Sequence, residues 1–248
     1  MTDAHAHLDA CGEPAATLVG RAHEAGVTRI VTIGTGIESC RSALAIADAH
    51  EGVFAALGID PHQSGTSEAG RLHELGELLA HPKAVAVGET GLDTVRRYAT
   101  PVEQRRLLDA QLELAEERGL PVVIHNREAD EETAAALEPF SGTVVLHCFS
   151  SPELAPLVVE RGYYVSFAGN ATYSKTAALR EAATVIPSDR ILVETDSPYL
   201  APQPVRGRPN EPGNVVHTIA ALAQARGETF AELAAATHEN AAAAFGLP

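Results

Sequence analysis

Apolar residues along the chain fall into short blocks separated by longer amphipathic stretches. Eight runs are β-rich: the segment around Ala4–Leu8, then Thr28–Ile33, Val53–Leu57, Ala84–Val87, Pro121–Ile124, Thr143–Leu146, Tyr163–Phe167 and Ile191–Val193. Between them apolar positions recur three and four apart, the spacing of a helix that buries one face. Ala15–Ala25 is one such stretch. Val102–Arg118 is the longest, and its Leu107, Leu108, Gln111, Leu112 and Ala115 form a mixed apolar face with charges around the rest. Strands alternating with helices predict an α/β fold with a parallel sheet. Such a sheet either closes into a (β/α)8 TIM barrel or stays open and doubly wound.

The polar residues favour closure. Val122-Val123-Ile124 runs into His125, Val144-Val145-Leu146 into His147, Ala84–Val87 into Gly88-Glu89, and Ile191–Val193 into Glu194-Thr195-Asp196. In a closed barrel the C-terminal strand ends converge on one mouth, where active sites sit, whereas an open sheet strings them along a line. After the last strand, Ala201–Gly213 carries Pro202, Pro204, Pro209 and Pro212 and predicts a long ordered loop. Asn214–Leu247 is Ala-rich and predicts C-terminal helices, with Gly227 between them. No internal repeat or boundary interrupts the chain, so residues 1–248 are expected to form a single domain.

Length and composition agree. A chain of 248 residues that is 45% hydrophobic suits one large core. No apolar stretch approaches the roughly 20 residues that span a bilayer, and Met1-Thr2-Asp3 does not open a signal peptide. Cys11, Cys40 and Cys148 form neither a disulfide framework nor a zinc–thiolate pair, which fits a reducing compartment. A cytoplasmic location without membrane association, and a monomer, are expected. The formal net charge of −15 argues against extended binding to duplex nucleic acid, which needs a basic face. An anionic substrate would have to be held locally, by metals and a few arginines.

Candidate chemistry begins with Asp3-Ala4-His5-Ala6-His7. On a strand, residues two apart share a face, so His5 and His7 would project together and chelate one divalent ion. Taken alone, the pair also fits two satisfied core histidines. The distribution of all 11 histidines changes that balance. His5, His7, His62, His125 and His147 fall at predicted strand ends, while His23, His50, His73, His81, His217 and His238 fall in helical or loop stretches and read as surface residues. A shared metal site selects one end of the strands, and structural histidines do not. Glu89 and Asp196 complete a mixed imidazole and carboxylate set suited to zinc, manganese, iron or a magnesium-like ion. Glu89 has two oxygens and could bridge two metals about 3.5–4 Å apart. Cys148 neighbours His147 on what reads as a strand and is expected to pack outward.

These segments, in this order, resemble the TatD family of metal-dependent deoxyribonucleases within the amidohydrolase-like barrels. The matching runs are Asp3–Asp9 (DAHAHLD), Gly58–His62 (GIDPH), Gly88–Asp93 (GETGLD), Ile124–Ala129 (IHNREA), Leu146–Ser150 (LHCFS) and Glu194–Leu200 (ETDSPYL). Arg206–Pro212 is similar to the family's basic loop after the last strand. The resemblance covers nearly the whole chain. It implies two divalent ions, magnesium, manganese or zinc, with His5, His7 and Asp196 on one, His125 and His147 on the other, and Glu89 between. It further implies that His62 and Arg127 face the substrate phosphate, and that the activity is hydrolysis of phosphodiester bonds in DNA, chiefly single-stranded and from the 3′ end. Two departures are visible: Asp60 stands where family members usually carry His, and Thr94 and Val95 follow Gly-Leu-Asp where many carry aromatics, with Tyr98 nearby but shifted.

The expected mechanism is attack by a water made reactive by two cations, with Asp196 accepting its proton. His62 and Arg127 would donate to the non-bridging oxygens, and Arg206 and Arg208 would reach a neighbouring phosphate. The expected partner is short single-stranded DNA or another phosphodiester. One alternative keeps the metals but acts on a small amide, ester or lactone. Many related barrels bridge their metals with a carboxylated lysine; Glu89 takes that place here, and Lys83 precedes its strand. The other alternative is a non-enzymatic binding module with a structural metal. Structural zinc sites are closed by four ligands, and this set is larger and more open.

Overall fold

The computed structural model describes residues 1–248. Eight strands, β1 (Thr2–Ala6), β2 (Arg29–Gly34), β3 (Val53–Leu57), β4 (Ala84–Asp93), β5 (Val122–Arg127), β6 (Val144–Leu146), β7 (Tyr164–Phe167) and β8 (Ile191–Val193), pair in parallel in sequence order. A parallel bridge between Ala6 and Ser197 joins the first strand to the chain just past the last. There Asp196 N donates to His5 O (2.9 Å) and His7 N to Ser197 O (2.8 Å). The buried Asp3 carboxylate seals the same seam by accepting from Thr195 N (2.9 Å) and Thr195 Oγ1 (2.6 Å). Burial pushes the Asp3 carboxyl up to about 8, against the pull of its Thr195 bonds. The sheet is therefore a (β/α)8 TIM barrel, and the open-sheet alternative is excluded.

The helices are α1 (Ala15–Glu24), α2 (Ile37–Ala49), α3 (Leu72–Leu78), α4 (Pro101–Arg118), α5 (Asp130–Leu137), α6 (Ala155–Arg161), α7 (Ala177–Val185), α8 (Val215–Arg226) and α9 (Phe230–Phe245). None is long and apolar enough to cross a membrane. Strand alternation divides the core in two. Val122, Ile124, Val144 and Leu146 face outward into the layer beneath the helices, while Val31, Ile33, Val123 and Val145 fill the barrel. Ala241, Ala244, Phe245 and Leu247, from the end of the chain, join this inner cluster. The end of α9 and the residues after it thus close the barrel interior on the side away from the C-terminal strand ends, while α8 packs in the outer layer.

Three expectations need adjustment. β4 runs on to Asp93 instead of stopping at Val87, since Thr90, Gly91, Leu92 and Asp93 continue to pair with Ile124, His125, Asn126 and Arg127. Glycine makes this possible: a Cβ at Gly91 would lie 1.9 Å from His125 O, and φ there is +147°. Glu89 is consequently inside a strand, at a register shift between Val87 and Thr90. β1 carries a similar shift between Asp3 and Ala6 and ends before His7. Bulges of this kind re-aim side chains next to active sites. Finally, β6 ends at Leu146, so strand alternation does not govern Cys148, whose φ is +45°. Its Sγ lies 3.9 Å from both Ser150 Oγ and Asn170 Nδ2, beside the strand ends and not in the outer layer.

Candidate metal centre

The parity that sends Val123 and Val145 into the barrel sends His125 and His147 the same way, two residues further toward the mouth. The bulges in β1 and β4 bring His5, His7 and Glu89 to meet them, and β8 leads through buried Glu194 and Thr195 to Asp196. Glu128, Cys148, Asp196 and Leu200, the non-glycine residues with left-handed backbone, all follow β5, β6 or β8 at this end. Such conformations cost of order 1–3 kcal/mol each and gather at functional sites.

The six ligand candidates converge, and Glu89 stands at their centre. Its Oε1 lies 2.8 Å from His125 Nδ1 and 3.1 Å from His147 Nε2. Its Oε2 lies 3.5 Å from His5 Nε2 and 3.7 Å from His7 Nε2. Asp196 Oδ1 is 3.3 Å from His7 Nε2 and 3.8 Å from His5 Nε2. The His5 ring stacks on His147 with centroids 3.9 Å apart. Ring nitrogens confront one another across 3.3 Å (His5 and His7) and 3.2 Å (His125 and His147).

This arrangement fits divalent cations. His5 Nε2, His7 Nε2, His125 Nδ1 and His147 Nε2 all face the Glu89 carboxylate. Nitrogens turned toward each other across 3.3 Å share at most one proton, so lone pairs are left converging on common points. Three groups, His5 with His7 and Asp196, His5 with Glu89 and His147, and His62 with Asp93 and His125, each have ligand atoms within 4.8 Å of one another. Cys148 is not among them. Burial, with Asp196 and Glu194 close by, holds its thiol well above the ordinary value.

Electrostatics ties the cluster together. Burial alone would raise the Glu89 carboxyl, but His147, His125 and His5 hold it well below the carboxylate range. Burial would likewise lower His147, yet Glu89 and Glu194 hold it well above the usual imidazole value. His7 and His125 are also raised by their carboxylate neighbours against burial, whereas burial keeps His5 low.

The structure also shows residues that the motifs did not single out. Asp93 is a third carboxylate at the mouth, its Oδ2 3.0 Å from His62 Nε2 and 3.4 Å from His125 Nε2. Glu194 Oε1 sits 3.4 Å from His147 Nδ1 and accepts from Cys148 N at 2.8 Å. Each thus faces the far nitrogen of a ring whose near nitrogen faces Glu89, the arrangement by which carboxylates orient metal-bound imidazoles. Two buried glutamines on α4 brace the rim. Gln104 bonds both Asp93 N and Asp93 O, and Gln111 bonds Ile59 N, Ile59 O and Thr90 Oγ1. A signal was present: polar residues seven apart on the face of a long helix that is otherwise buried.

His62 is held between two carboxylates. Asp60 Oδ2 lies 3.1 Å from its Nδ1 while Asp93 takes Nε2. The Asp60 bond, opposed by burial and supported by Asp93, raises His62 to about 8. Its contribution to stability is therefore complete below about 6.5, the ordinary imidazole value, and is lost as pH rises through about 8. Asp60→Asn should bring the His62 titration down toward 6.5, read by NMR of the ring; an unmoved midpoint would show that Asp60 does not hold it. Arg127 is exposed at the end of β5, and Arg206 lies over the Tyr173 ring at 4.0 Å. Neither touches the six-residue cluster.

Known proteins share this framework. Residues 2–246 match the family model described as TatD related DNase. A metal-dependent hydrolase named TatD from Mycobacterium tuberculosis is 40% identical over 259 residues, covering 100% of this chain and 98% of its own length. The 3′-5′ ssDNA/RNA exonuclease TatD of Escherichia coli is 35% identical over 239 residues, covering 93% and 92%. Among solved structures, the TatD homologue YjjV of Escherichia coli superposes with a TM-score of 0.94 at 32% identity, over 100% of this chain and 98% of that one. These matches run along nearly the whole chain, and the chain belongs to the TatD related DNases, a family of metal-dependent hydrolases.

Proposed function

We propose that the protein removes nucleotides from the 3′ end of single-stranded DNA by hydrolysing phosphodiester bonds, using two divalent cations. The observation that carries this reading is the division of Glu89: one oxygen faces His125 and His147, the other faces His5 and His7, and Asp196 adjoins the second pair. His5, His7 and Asp196 would hold one cation, His125 and His147 the other, and Glu89 both. Magnesium, manganese and zinc all suit these donors. Cations held there would supply Lewis acidity and bring a water's proton within reach of removal near neutral pH. Asp196, held below the carboxylate range by His7 and His5 against its burial, is ionised and would accept that proton. Asp196 and Glu89 are the carboxylates we place in catalysis. Relatives named as 3′-5′ ssDNA/RNA exonucleases support a nucleic-acid substrate.

Substrate contact is assigned to Arg127 and Arg206 directly, and to His62 through its position between Asp60 and Asp93. Both arginines lack a carboxylate partner, unlike Arg21, Arg41, Arg71 and Arg226. In a chain of net charge −15 these are a few cations at one mouth and not a basic face. If the strand makes about three phosphate contacts, log K should fall with log salt at a slope of about −2. A slope several times steeper would mean an extended track. We further propose that residues 1–248 act as one catalytic domain, as a monomer in the cytoplasm.

The deciding assay supplies 3′-labelled single-stranded DNA to protein that has been chelated and then reloaded stepwise with magnesium, manganese or zinc. Mononucleotides released from the 3′ end only after metal return are the expected result. Turnover of a dihydropyrimidine or lactone with intact DNA would overturn the nuclease reading in favour of a small-molecule hydrolase.

A further inference from the structure

A cavity lies beside the metal centre. It has a volume of about 740 Å³ and opens between the end of β4 and the start of α4, with Leu92, Asp93, Arg97, Tyr98, Ala99 and Ala129 among its walls. Ligand pockets commonly measure about 300–1,000 Å³, so it has room for a nucleotide. Asp93 belongs to both places: it lines the cavity, and its Oδ2 meets His62 and His125. Tyr98 stands at the junction, 70% exposed, with its ring edge-to-face to His62 at 5.6 Å, and His62 in turn is 5.7 Å from the His125 ring.

The loop that presents Tyr98 is tied down. Asp93 Oδ1 accepts from Val95 N and Arg96 N, both at 2.8 Å. Thr94 Oγ1 donates to Glu128 O at 2.7 Å, and Tyr98 N to Arg96 O at 3.0 Å. An exposed aromatic ring on a fixed loop, beside a cavity and next to a hydrolytic centre, is a platform for a flat ligand. Arg97 stands beside it with no carboxylate partner, while Arg105 across the cavity is taken by Asp109 at 2.7 Å.

We propose that this cavity is a nucleotide subsite in which Tyr98 stacks on one base of the bound strand while Arg97 meets a phosphate next to it. The inference rests on the nuclease reading above and specifies how the strand is held. It also fixes a specificity. Apart from Glu132, the uncharged and acidic groups of the wall that could read a base edge are already used: the Gln104 amide by the backbone of Asp93 and Ala99, and the Thr100 hydroxyl and Glu103 carboxylate by each other in the cap of α4. Recognition therefore falls on the face of the base, which all four bases share, and stacking of this kind is tolerant of sequence.

The test uses the full-length, metal-loaded protein and 3′-end single strands in which one residue at a time, counted from the 3′ end, is abasic. Wild type is expected to show a KM about tenfold higher when the abasic residue falls at one particular position, within the range expected for one base stacked on an aromatic ring. Tyr98→Ala should raise KM about tenfold on ordinary strands, equally for all four bases at that position, and should no longer distinguish the abasic strand. Tyr98→Phe should behave as wild type, because the ring is kept. An unchanged KM in Tyr98→Ala, or a variant that still distinguishes the abasic position, would overturn the subsite and leave the nuclease intact. Wild-type protein that cuts none of the strands would overturn both.

Discussion

Glu89→Gln will fold and will lose turnover by about a thousandfold, the upper range for removing one electrostatic contact to a reacting centre. Gln matches the size of Glu, and the position is buried within a paired strand, so the barrel has no cause to rearrange. What changes is charge. With a neutral amide, four imidazoles and Asp196 remain, and no anion lies between the two histidine pairs. One amide end can only donate, so either the His125 and His147 side or the His5 and His7 side faces a donor where it had an acceptor. The expected signature is a drop in kcat, with the far-UV spectrum and melting of the metal-free protein showing a folded chain. The reference state matters for reading that melting curve. In the wild type without metal, Glu89 titrates below its ordinary value, so its contribution to stability is present above about 4.3, the unfolded carboxyl value, and is lost as pH falls through the lowered one. The Gln variant lacks that pH dependence. Near-wild-type kcat in Glu89→Gln would remove this residue from the chemistry and with it the division of the site into two halves.

How far the sequence disclosed this site depends on the strand each residue occupies. β5 and β6 are regular, and there an apolar residue facing inward announces that the residue two positions on also faces inward; His125 and His147 were legible for that reason. β1 and β4 are irregular. His5 and His7 share a site, but a bulge brings them together, with His7 beyond the strand end. Gly88 and Gly91 read as the end of a strand, whereas they let β4 pass against β5 without a clash and carry it on to Asp93. That hid Asp93 as a strand-end acid. Glu194 was hidden differently, because its role rests on His147, 47 positions away in the chain, and no local spacing records it. The same holds for His62: its pairing with Asp60 is visible two residues away, but its capture by Asp93 depends on β3 lying beside β4. The eight-fold alternation, by contrast, is a local property repeated along the chain; it was sufficient for the parallel sheet, and the polar strand ends added closure.

Stripping divalent metal will abolish turnover, and returning it will restore turnover and raise the melting temperature together. An ion that binds the folded chain alone contributes RT ln(1 + [L]/Kd), about 2.7 kcal/mol at a hundred times Kd. For a chain of this length each kcal/mol moves the melting temperature by roughly 2–4 °C, so a rise of roughly 5–10 °C is expected on reloading. The sign with pH follows from the histidines. In the metal-free protein, His147 is raised well above its ordinary value by Glu89 and Glu194 against burial, and His7 and His125 are raised as well. These rings hold their protons to higher pH than a free imidazole does, and a cation must displace them, while burial makes His5 release its proton more readily. Binding will therefore release protons, and affinity will rise with pH and fall away as the solution becomes acid. Calorimetry in two buffers of different ionisation enthalpy separates this release from the heat of binding itself. Full activity in chelated protein, or reloading that leaves both the melting temperature and the proton count unchanged, would show that the convergent imidazoles are not there to hold cations.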